Sequence, residues 1–475
     1  MTVVNRIRDH AVRAPAHAAW VENDRAGDSH VVSYAEAVGN FDAIAKRLVA
    51  EGLAPGDRCG LIAKQGGGFI ELALGVLAAG GCLVPIPDDH KGEVLTAFGE
   101  RTRLHRLVLE ADSGFEHRPL GQSRSGDAES EAAYRALSPA YLRFTSGTTS
   151  ERKGVILGHR AIEARLAAAN RVLRISPEDR VLWLLPMAHH FVVSILLYLS
   201  NGASVLLPAS PLARNVLEFA KRERPTVIYA SPHHYRLLAK DTSEFALDEV
   251  RLAISTAEGL RESIASEFTE RFGLSLVQAL GIIEVGLPVV NLDSAATKPT
   301  ALGRPLPGYE VWLRGDDGKP VSGRTSPDRT GEICIRGPGM LDAYLDPWLP
   351  AAICLEPDGF RTGDQGWFDS AGDLHLAGRR ENRICMAGMK FFSEEVEAVL
   401  DTHPGVAESR VFAIEHAHLG EVPYARIVSV DPDASPARSE LIRHCRGALP
   451  AYKIPREFQL VESLERTQTG KLRRG

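Results

Sequence analysis

The chain has 475 residues, of which 44% are hydrophobic and 24% are charged, as is ordinary for a globular protein of two or three domains. Its 55 basic and 61 acidic residues leave a formal net charge of −6, which argues against a broad nucleic-acid-binding surface. The six cysteines are scattered without a Cys-x-x-Cys pair, so we expect a reducing, cytoplasmic environment with neither a disulfide framework nor a zinc site.

The first residues and the most apolar run argue against export and against a membrane span. Residues 1–17 mix basic, acidic and apolar side chains, which predicts an amphipathic helix rather than a signal peptide. Residues 191–207 form the most apolar run, but positions 194 and 200–202 interrupt it. Since a membrane helix needs about 20 unbroken apolar residues, we expect no membrane span.

Helical and strand patterns alternate through the first half of the chain. Apolar residues at helical spacing predict a helix over residues 33–52, and a second helix over 69–79 ends at a Gly-Gly pair. The polar residues 113–130 predict an exposed connection. Short apolar runs predict strands at residues 58–63, 82–86, 180–185, 203–207, 227–230 and 252–255. This alternation predicts an α/β fold with parallel-rich sheets sandwiched by helices.

The later segments predict a β-rich subdomain and a second, smaller domain. The β-like runs 309–313 and 332–336 flank a polar connection that contains glycine and proline. Beyond residue 381, a helix candidate and two strand candidates follow at 392–402, 407–415 and 425–430. We therefore predict a large N-terminal domain of residues 1–380 and a small, mobile α+β domain of residues 381–475.

The most informative segment is residues 141–154, Tyr-Leu-Arg-Phe-Thr-Ser-Gly-Thr-Thr-Ser-Glu-Arg-Lys-Gly. A β-prone, apolar lead-in runs into small, hydroxyl-bearing residues, and a lysine follows. Small residues let backbone N–H groups approach a phosphate, hydroxyls add donors, and the lysine adds charge. The order differs from a Walker A loop, which needs Gly-Lys-Ser/Thr. Read alone, the segment predicts a phosphate loop, with a polar turn as the alternative.

This segment resembles the nucleotide-binding loop of the adenylate-forming superfamily, which includes acyl- and aryl-CoA synthetases, peptide-synthetase adenylation domains and firefly luciferase. The family pattern reads Thr-Ser-Gly-Thr-Thr-Gly-x-Pro-Lys-Gly, and here Ser150 replaces a glycine and Arg152 replaces a proline. The resemblance assigns nucleotide binding to Thr145, Ser146, Gly147, Thr148, Thr149 and Lys153.

A second motif of the family matches residues 278–286, Gln-Ala-Leu-Gly-Ile-Ile-Glu-Val-Gly. Glu284 falls on the family glutamate associated with Mg²⁺, a hard cation that prefers oxygen ligands. A buried or capping carboxylate is the alternative interpretation. Ile283 replaces a threonine, which removes a hydroxyl near the α-phosphate or the metal. The resemblance implies further nucleotide-binding residues: Ala257, Glu258, Gly281, Ile282 and Ile283.

Residues 360–367, Phe-Arg-Thr-Gly-Asp-Gln-Gly-Trp, are the strongest match to the family. Asp364 falls on the aspartate that accepts hydrogen bonds from both ribose hydroxyls, a geometry that suits an ionised carboxylate. Arg379 matches the arginine that approaches the ribose or the phosphate. Glu381 stands where the family has its interdomain hinge, about which the small domain is expected to rotate.

The last two motifs lie in the predicted small domain. Gly388 and Lys390 match the loop that lines the thiol channel during the second half-reaction. Lys471 matches the lysine that neutralises charge on the reacting carboxylate and the α-phosphate. Because arginines surround Lys471 in the sequence, a solvated basic tail is the alternative for this residue taken alone.

The resemblance implies an ATP- and Mg²⁺-dependent acid–thiol ligase that converts a carboxylic acid into acyl-AMP and passes the acyl group to coenzyme A. His189 matches a histidine that can gate the path to the reacting carbonyl, and an interior or loop histidine is the alternative. The Phe-Asp dipeptide of the amino-acid-activating branch has no counterpart at residues 189–191, so we expect a simple carboxylic acid. The expected acyl pocket is mainly apolar and contains His190, Val193, Ser231, Pro232, Ser255 and Gly259.

Several questions stay open on the sequence alone. An acyl-carrier protein could replace CoA, a homodimer is compatible with the chain, and the acid is unspecified. Ile283, Ser150 and Arg152 raise the hypothesis of an enzyme that is poor at adenylation and transfers a supplied acyl-adenylate to a thiol. A nucleotide-binding protein without activity and an oxygenase of the luciferase kind are also compatible with the motifs.

Overall fold

A computed structural model describes residues 2–24, 26–88, 90–111, 114–120, 128–144, 153–321, 325–355, 359–416 and 418–465. The strands are, in chain order, Ala18–Asn23 (β1), Ser29–Ser33 (β2), Arg58–Ile62 (β3), Cys82–Pro85 (β4), Arg106–Ala111 (β5), Gly114–Pro119 (β6), Pro139–Phe144 (β7), Gly154–Gly158 (β8), Arg180–Trp183 (β9), Ser204–Leu207 (β10), Val227–Ala230 (β11), Leu252–Ser255 (β12), Leu276–Ile282 (β13), Gly286–Val290 (β14), Arg304–Pro305 (β15), Glu310–Arg314 (β16), Gly331–Arg336 (β17), Ala343–Tyr344 (β18), Leu349–Pro350 (β19), Phe360–Phe368 (β20), Leu374–Arg379 (β21), Arg383–Met386 (β22), Met389–Phe392 (β23), Val406–His416 (β24), Gly420–Ser429 (β25) and Glu457–Leu460 (β26).

The α-helices are, in chain order, Asn5–Arg13 (α1), Tyr34–Ala50 (α2), Gly67–Ala78 (α3), Gly92–Thr102 (α4), Ala128–Ala136 (α5), His159–Leu173 (α6), Met187–His190 (α7), Ile195–Ser200 (α8), Ala213–Glu223 (α9), Pro232–Lys240 (α10), Glu262–Phe272 (α11), Ala351–Cys354 (α12), Ser393–Leu400 (α13) and Arg438–Ala448 (α14). Short 3₁₀ turns occupy Phe191–Val193, Arg380–Asn382, Pro432–Ala434 and Ala451–Lys453.

Two sheets with parallel centres form the large domain. Within the described residues, one sheet has the order β15-β14-β13-β12-β11-β9-β10-β1-β2, and the other has the order β19-β18-β8-β7-β4-β3-β5-β6. The central neighbours pair in parallel, as β9 does with β11 and β3 does with β4. Antiparallel strands such as β2 and β6 close the edges. The expected α/β fold with parallel-rich sheets is confirmed.

Local sequence signals explain where the elements begin. Helix α2 starts after Ser33, whose hydroxyl accepts a hydrogen bond from the Glu36 amide, while the Glu36 carboxylate accepts one from the Ser33 amide. Its apolar face buries Tyr34, Phe41 and Leu48, which agrees with the helix expected over residues 33–52.

The connection expected over residues 113–130 is wrong in part, because β6 lies there as a mostly exposed edge strand. Antiparallel pairing with β5 needs only backbone groups, so the strand forms although most of its side chains stay exposed.

The later part of the chain contains the β-rich subdomain and a separate small core. Strands β16, β17, β20 and β21 form an antiparallel sheet, as the sequence predicts. The sheet β23-β22-β25-β24, with β26 beside β25, packs with α13 and α14 around its own buried residues, among them Phe391, Leu400 and Ile427. A core of its own makes this segment a distinct domain. None of the described helices is long and apolar enough to cross a membrane.

Candidate active site

Several of the site residues expected in the large domain lie where strands of its two parallel-rich sheets end. Ser231 follows β11, Ser255 ends β12, and Glu284 lies in the turn after β13. Strand β7 of the other sheet ends at Phe144, where the predicted phosphate loop begins. Ligands of open α/β sheets bind at the carboxyl ends of the strands, so this arrangement favours a ligand between the two sheets. Thr145, Ser146, Gly147, Thr148, Thr149, Ser150, Arg152 and Lys471 lie outside the described residues.

Glu284 is a buried carboxylate with its own hydrogen-bond donor. Its side chain is 8% exposed, and Tyr344 Oη donates a hydrogen bond to Oε1 at 3.4 Å. Burial raises the pKa of Glu284, while Tyr344 and the positive charges of Arg143 and Arg165 act in the opposite direction. The site therefore holds a carboxylate whose ionisation depends on its neighbours.

Lys153 lies beside the same tyrosine. Its Nζ atom is 5.2 Å from the centre of the Tyr344 ring, a cation–π contact. The residue predicted to bind phosphate and the residue predicted to bind metal are thus linked through Tyr344, which comes from β18. Nothing in the sequence singled out Tyr344, because the strand that carries it is two residues long.

Arg165 of α6 holds the backbone that carries Glu284. It is 2% exposed, and it donates from Nη1 to the carbonyl oxygen of Ile283 at 3.0 Å and from Nε to that of Gly339 at 2.9 Å. Burial lowers the pKa of Arg165 to about 10. Sequence reasoning missed this residue, although an arginine on the apolar face of α6, between Ile162 and Leu166, was a detectable signal.

The segment after β12 has an unusual backbone at Ala257, whose φ is +77°. A residue with a Cβ atom rarely adopts this conformation, so the backbone here is strained. The segment is fixed on both sides: Thr256 Oγ1 donates to the carbonyl oxygen of Ala279 at 3.0 Å, and the Leu260 amide donates to Gln278 Oε1. Glu258 and Gly281 lie nearby and are partly or fully exposed.

Asp364 and Arg379 face each other across β20 and β21. Their Cα atoms are paired in the sheet, and Arg379 Nε is 3.1 Å from Asp364 Oδ1. Arg379 Nη1 also lies 3.7 Å from Glu381 Oε1. The residue predicted to bind the ribose, the arginine predicted to approach the nucleotide and the predicted hinge therefore form one continuous cluster of charges.

His189 lines a cavity of about 320 Å³ between β4, α3 and the start of α7. The carbonyl oxygen of His189 accepts a hydrogen bond from Arg143 Nη1. The cavity walls are formed by Ala63, Gln65, Phe69, Ile86, Pro87, Asp88, Pro186, Met187, Ala188 and His189. An imidazole in such a wall can control what enters, as the sequence predicts for His189.

The residues expected around the acyl group have an aromatic side and a polar side. The His190 ring lies 6.2 Å from Trp183 and 6.4 Å from Tyr229, centre to centre. On the polar side, Ser231 Oγ is 2.7 Å from His234 Nδ1. Burial lowers the pKa of His234 to about 4, so its imidazole is neutral at pH 7. Val193, Pro232 and Gly259 lie in the same three segments, in the 3₁₀ turn after α7, at the start of α10 and after β12.

In the small domain, Gly388 and Lys390 are exposed in the β22–β23 hairpin. Gly388 has a φ of +85°, and no atom of the described residues lies within 4 Å of the position that a Cβ would take. Lys390 Nζ lies 3.2 Å from Asp316 Oδ2 of the β-rich subdomain. Within the part of the chain that the structure describes, Gly388 thus has open space beside it rather than the walls of a channel.

Another ion pair joins the two domains close to the segment that follows β12. Arg261, which follows Leu260, has its Nη1 atom 2.6 Å from Asp401 Oδ2. Asp401 is buried and also accepts a hydrogen bond from Ser409 Oγ at 2.8 Å. Burial raises the pKa of Asp401 from 3.8 to about 6, although Arg261 and Ser409 oppose this shift.

The described residues contain no group of three or more histidine, cysteine, aspartate or glutamate side chains arranged to hold a metal ion. Mg²⁺ in phosphate-transfer sites needs fewer protein ligands, because one or two carboxylates act together with substrate phosphates and water. Glu284 fits this need: Tyr344 occupies one of its acceptor positions, and a carboxylate has about four.

The sequence is similar to two protein families and to several known proteins. A family model described as AMP-binding enzyme matches residues 7–345, and one described as AMP-binding enzyme C-terminal domain matches residues 395–471. Naringenin synthase of Pestalotiopsis fici is 34% identical over 348 residues, which are 70% of this chain and 12% of that protein. Sulfoacetate–CoA ligase of Cupriavidus necator is 30% identical over 342 residues, which are 71% of this chain and 66% of that protein.

The chain thus spans 12% of the length of the naringenin synthase and 66% of the length of the sulfoacetate–CoA ligase. Among solved structures, an anthranilate CoA ligase in complex with anthranoyl-AMP is similar to the protein with a TM-score of 0.84. The two sequences are 22% identical, and the match covers 99% of this chain and 95% of that chain. This likeness shows a common fold.

Proposed function

Because the chain belongs to the family of AMP-binding enzymes, we propose that it is an ATP-dependent acid–thiol ligase. It converts a carboxylic acid other than an α-amino acid into acyl-AMP and then into a CoA thioester. The observation that carries the proposal is the placement of Asp364 beside Arg379, together with the buried Glu284, each on a different element. Relatives and structural neighbours named CoA ligases support coenzyme A as the acceptor.

In the first half-reaction, an oxygen of the substrate carboxylate attacks the α-phosphorus of ATP. The bond from that phosphorus to the β-phosphate oxygen breaks, and pyrophosphate leaves. Asp364 binds the ribose hydroxyls, while Lys153 and the residues 145–149 bind the phosphates. Lys471 offsets the charge that develops on the carboxylate and the α-phosphate. Mg²⁺ held by Glu284 would neutralise further phosphate charge when bound.

In the second half-reaction, the thiol sulfur of CoA attacks the carbonyl carbon of acyl-AMP. The bond between this carbon and the phosphate-linked oxygen breaks, AMP leaves with that oxygen, and the thiol proton is released. We place the domain boundary between residues 380 and 381, with Glu381 as the hinge. Rotation there removes Lys471 and brings Gly388 and Lys390 to the thiol, while His189 controls access from the cavity.

The acid is expected to be an organic carboxylate that fits between the aromatic His190 side and the polar Ser231 side of the pocket. We place the reaction in the cytoplasm, where ATP and CoA are available and the six free cysteines stay reduced. The same assays with an acyl-carrier protein in place of CoA identify the preferred acceptor.

The test is ATP–pyrophosphate exchange with a panel of aryl, arylacetic, hydroxycinnamic and short aliphatic acids, followed by detection of the CoA thioester. We expect exchange with at least one class of acid and a thioester from the same acid. Thioester formation only from a supplied acyl-adenylate, without exchange for any acid, would instead identify an enzyme confined to the second half-reaction. No turnover in either assay would refute the ligase assignment.

A further inference from the structure

Arg143 is a basic residue in the lead-in to the phosphate loop, and neither proposed half-reaction above uses it. It is the penultimate residue of β7, and its side chain points to the same side of the sheet as that of Tyr141. That side is the core shared by the two sheets, since Tyr141 is buried in it. An arginine here places a fixed charge at the carboxyl end of a central strand.

The guanidinium of Arg143 contacts His189 and acts electrostatically on Glu284. Nη1 donates to the carbonyl oxygen of His189, which fixes the group beside the cavity. The charge of Arg143 also acts on Glu284, in the turn after β13 of the opposite sheet. Arg143 therefore stands between the cavity, the start of the phosphate loop and the predicted metal ligand.

Only some of the N–H donors of Arg143 have hydrogen-bond partners among the described residues. Nε of Arg143 is shielded from water and has no hydrogen-bond partner among the described residues. No carboxylate of the described residues lies within 4.0 Å of the guanidinium, so the charge has no direct counterion there. Arg165, the other arginine near Glu284, differs because its Nε, Nη1 and Nη2 all donate to carbonyl oxygens.

A guanidinium that is partly buried, fixed at Nη1 and short of an acceptor at Nε is suited to an anionic oxygen, and phosphate matches its forked donors. We propose that Arg143 is a catalytic residue that donates to a non-bridging oxygen of the α-phosphate, first in ATP and then in acyl-AMP. This assignment rests on the proposed function. Since Arg143 is on a strand of the large domain, it stays in place when Lys471 leaves, and it therefore acts in both half-reactions.

The first test compares the binding of AMP and adenosine by calorimetry, which requires no turnover. We expect the wild-type protein to prefer AMP, and Arg143→Met to weaken AMP binding roughly ten- to hundred-fold while adenosine binding stays the same. The matched control is Arg101→Met, because Arg101 lies over the Phe144 ring on the other face of β7, 4.9 Å from its centre. This control keeps the wild-type preference.

The second test measures both half-reactions in the same variants. We expect Arg143→Met to slow pyrophosphate exchange and also CoA transfer from a supplied acyl-adenylate, each by about a hundred-fold. Arg143→Lys keeps a donor for the His189 carbonyl but lacks the Nε donor, so it should fold normally and still lose about ten-fold in AMP affinity.

Unchanged AMP affinity in either folded variant, or a defect in one half-reaction alone, would overturn the role of Arg143. An equal affinity of the wild-type protein for AMP and adenosine would do the same. A wild-type protein without ligase activity would refute the proposed function instead, and the binding comparison would still decide the role of Arg143.

Discussion

Arg261 of the large domain and Asp401 of the small domain meet across the domain interface, with 2.6 Å between Nη1 and Oδ2. Arg261 lies three residues after Glu258, which is predicted, with Ala257, to bind the nucleotide. The small domain is thus tied to the nucleotide side of the large domain by an ion pair whose acidic member is buried. The rotation proposed about Glu381 would have to separate these two residues.

The buried Asp401 predicts a pH-dependent contribution to stability. Its pKa is raised from 3.8 to about 6, so between these values the folded protein binds more protons than the unfolded chain. The contribution of Asp401 is therefore fully present below the unfolded pKa and is lost as the pH rises through the folded pKa. Relative to Asp401→Asn, the wild-type free energy of unfolding should fall by on the order of 2 kcal/mol from pH 4 to 6.5.

Urea unfolding of both proteins across this pH range measures the effect. Asp433→Asn, an exposed substitution in the same domain, is the control for the loss of a carboxylate. A wild-type-minus-variant difference that stays flat or rises with pH would contradict the burial of an acidic Asp401.

Asp364 should dominate the affinity for the ribose. Removing its carboxylate with Asp364→Ala deletes two charge-assisted hydrogen bonds to the ligand, each worth about 1.5–3 kcal/mol. We expect adenosine binding to weaken by roughly a hundred-fold or more, with the melting temperature little changed, because Arg379 stays half-exposed to solvent. Calorimetry checks this, with the exposed Asp328→Ala as a control. Equal adenosine affinity in the two variants would exclude Asp364 from the ribose site.

Tyr344 should set the pH at which Glu284 becomes ionised. The Tyr344 hydroxyl donates to Glu284 and lowers the pKa of that carboxyl, whereas burial raises it. Tyr344→Phe removes the donor, so the pKa of Glu284 rises further and the acid limb of the pyrophosphate-exchange profile should move to higher pH. Tyr134→Phe is the control, because the Tyr134 hydroxyl donates to the distant Gly56 carbonyl. A profile that moves to lower pH or does not move would argue against this role.

Ala257 offers a test of backbone strain in the site. Ala257→Gly should stabilise the protein by up to about 1 kcal/mol, since glycine adopts a positive φ without a Cβ clash. Ala253→Gly, in the buried strand β12 of the same region, should destabilise by about 1 kcal/mol or more. Chemical denaturation measures both. If both substitutions lowered the free energy of unfolding by similar amounts, the backbone at Ala257 would be unstrained.

Much of the fold follows from patterns that are local in the sequence. The α2 capping residues and the apolar runs of β3 and β4 specify those elements within a few residues. Edge strand β6 escaped this reasoning because it is mostly exposed, so it lacks the alternation of apolar and polar residues that marks a half-buried strand, and backbone groups form its ladder with β5. The way the small domain packs on the large domain also could not be predicted. Pairs such as Arg261 with Asp401 come together only in the folded protein, and no repeating pattern in the sequence indicates them.

In the candidate site too, residues that stand in a sequence motif could be predicted, and residues that act only through tertiary contacts could not. Asp364, Arg379 and Glu284 were predicted because each stands in a motif, and the structure places Asp364 directly beside Arg379. Tyr344 and Arg165 were missed because they act on Glu284 and Ile283 from 60 and 118 residues away along the chain. Residues such as these position a functional group through contacts that form only in the folded protein. Their spacing in the sequence therefore does not identify them.

In the proposed reaction, the carboxylate of an organic acid attacks the α-phosphorus of ATP. The most direct measurement supplies an accepted acid with ¹⁸O in its carboxylate, together with ATP and CoA, and determines the isotope content of the nucleotide product by mass spectrometry. We expect AMP that carries one ¹⁸O atom from the acid, with pyrophosphate and the CoA thioester as the other products. Unlabelled AMP, or ADP with labelled phosphate, would contradict it.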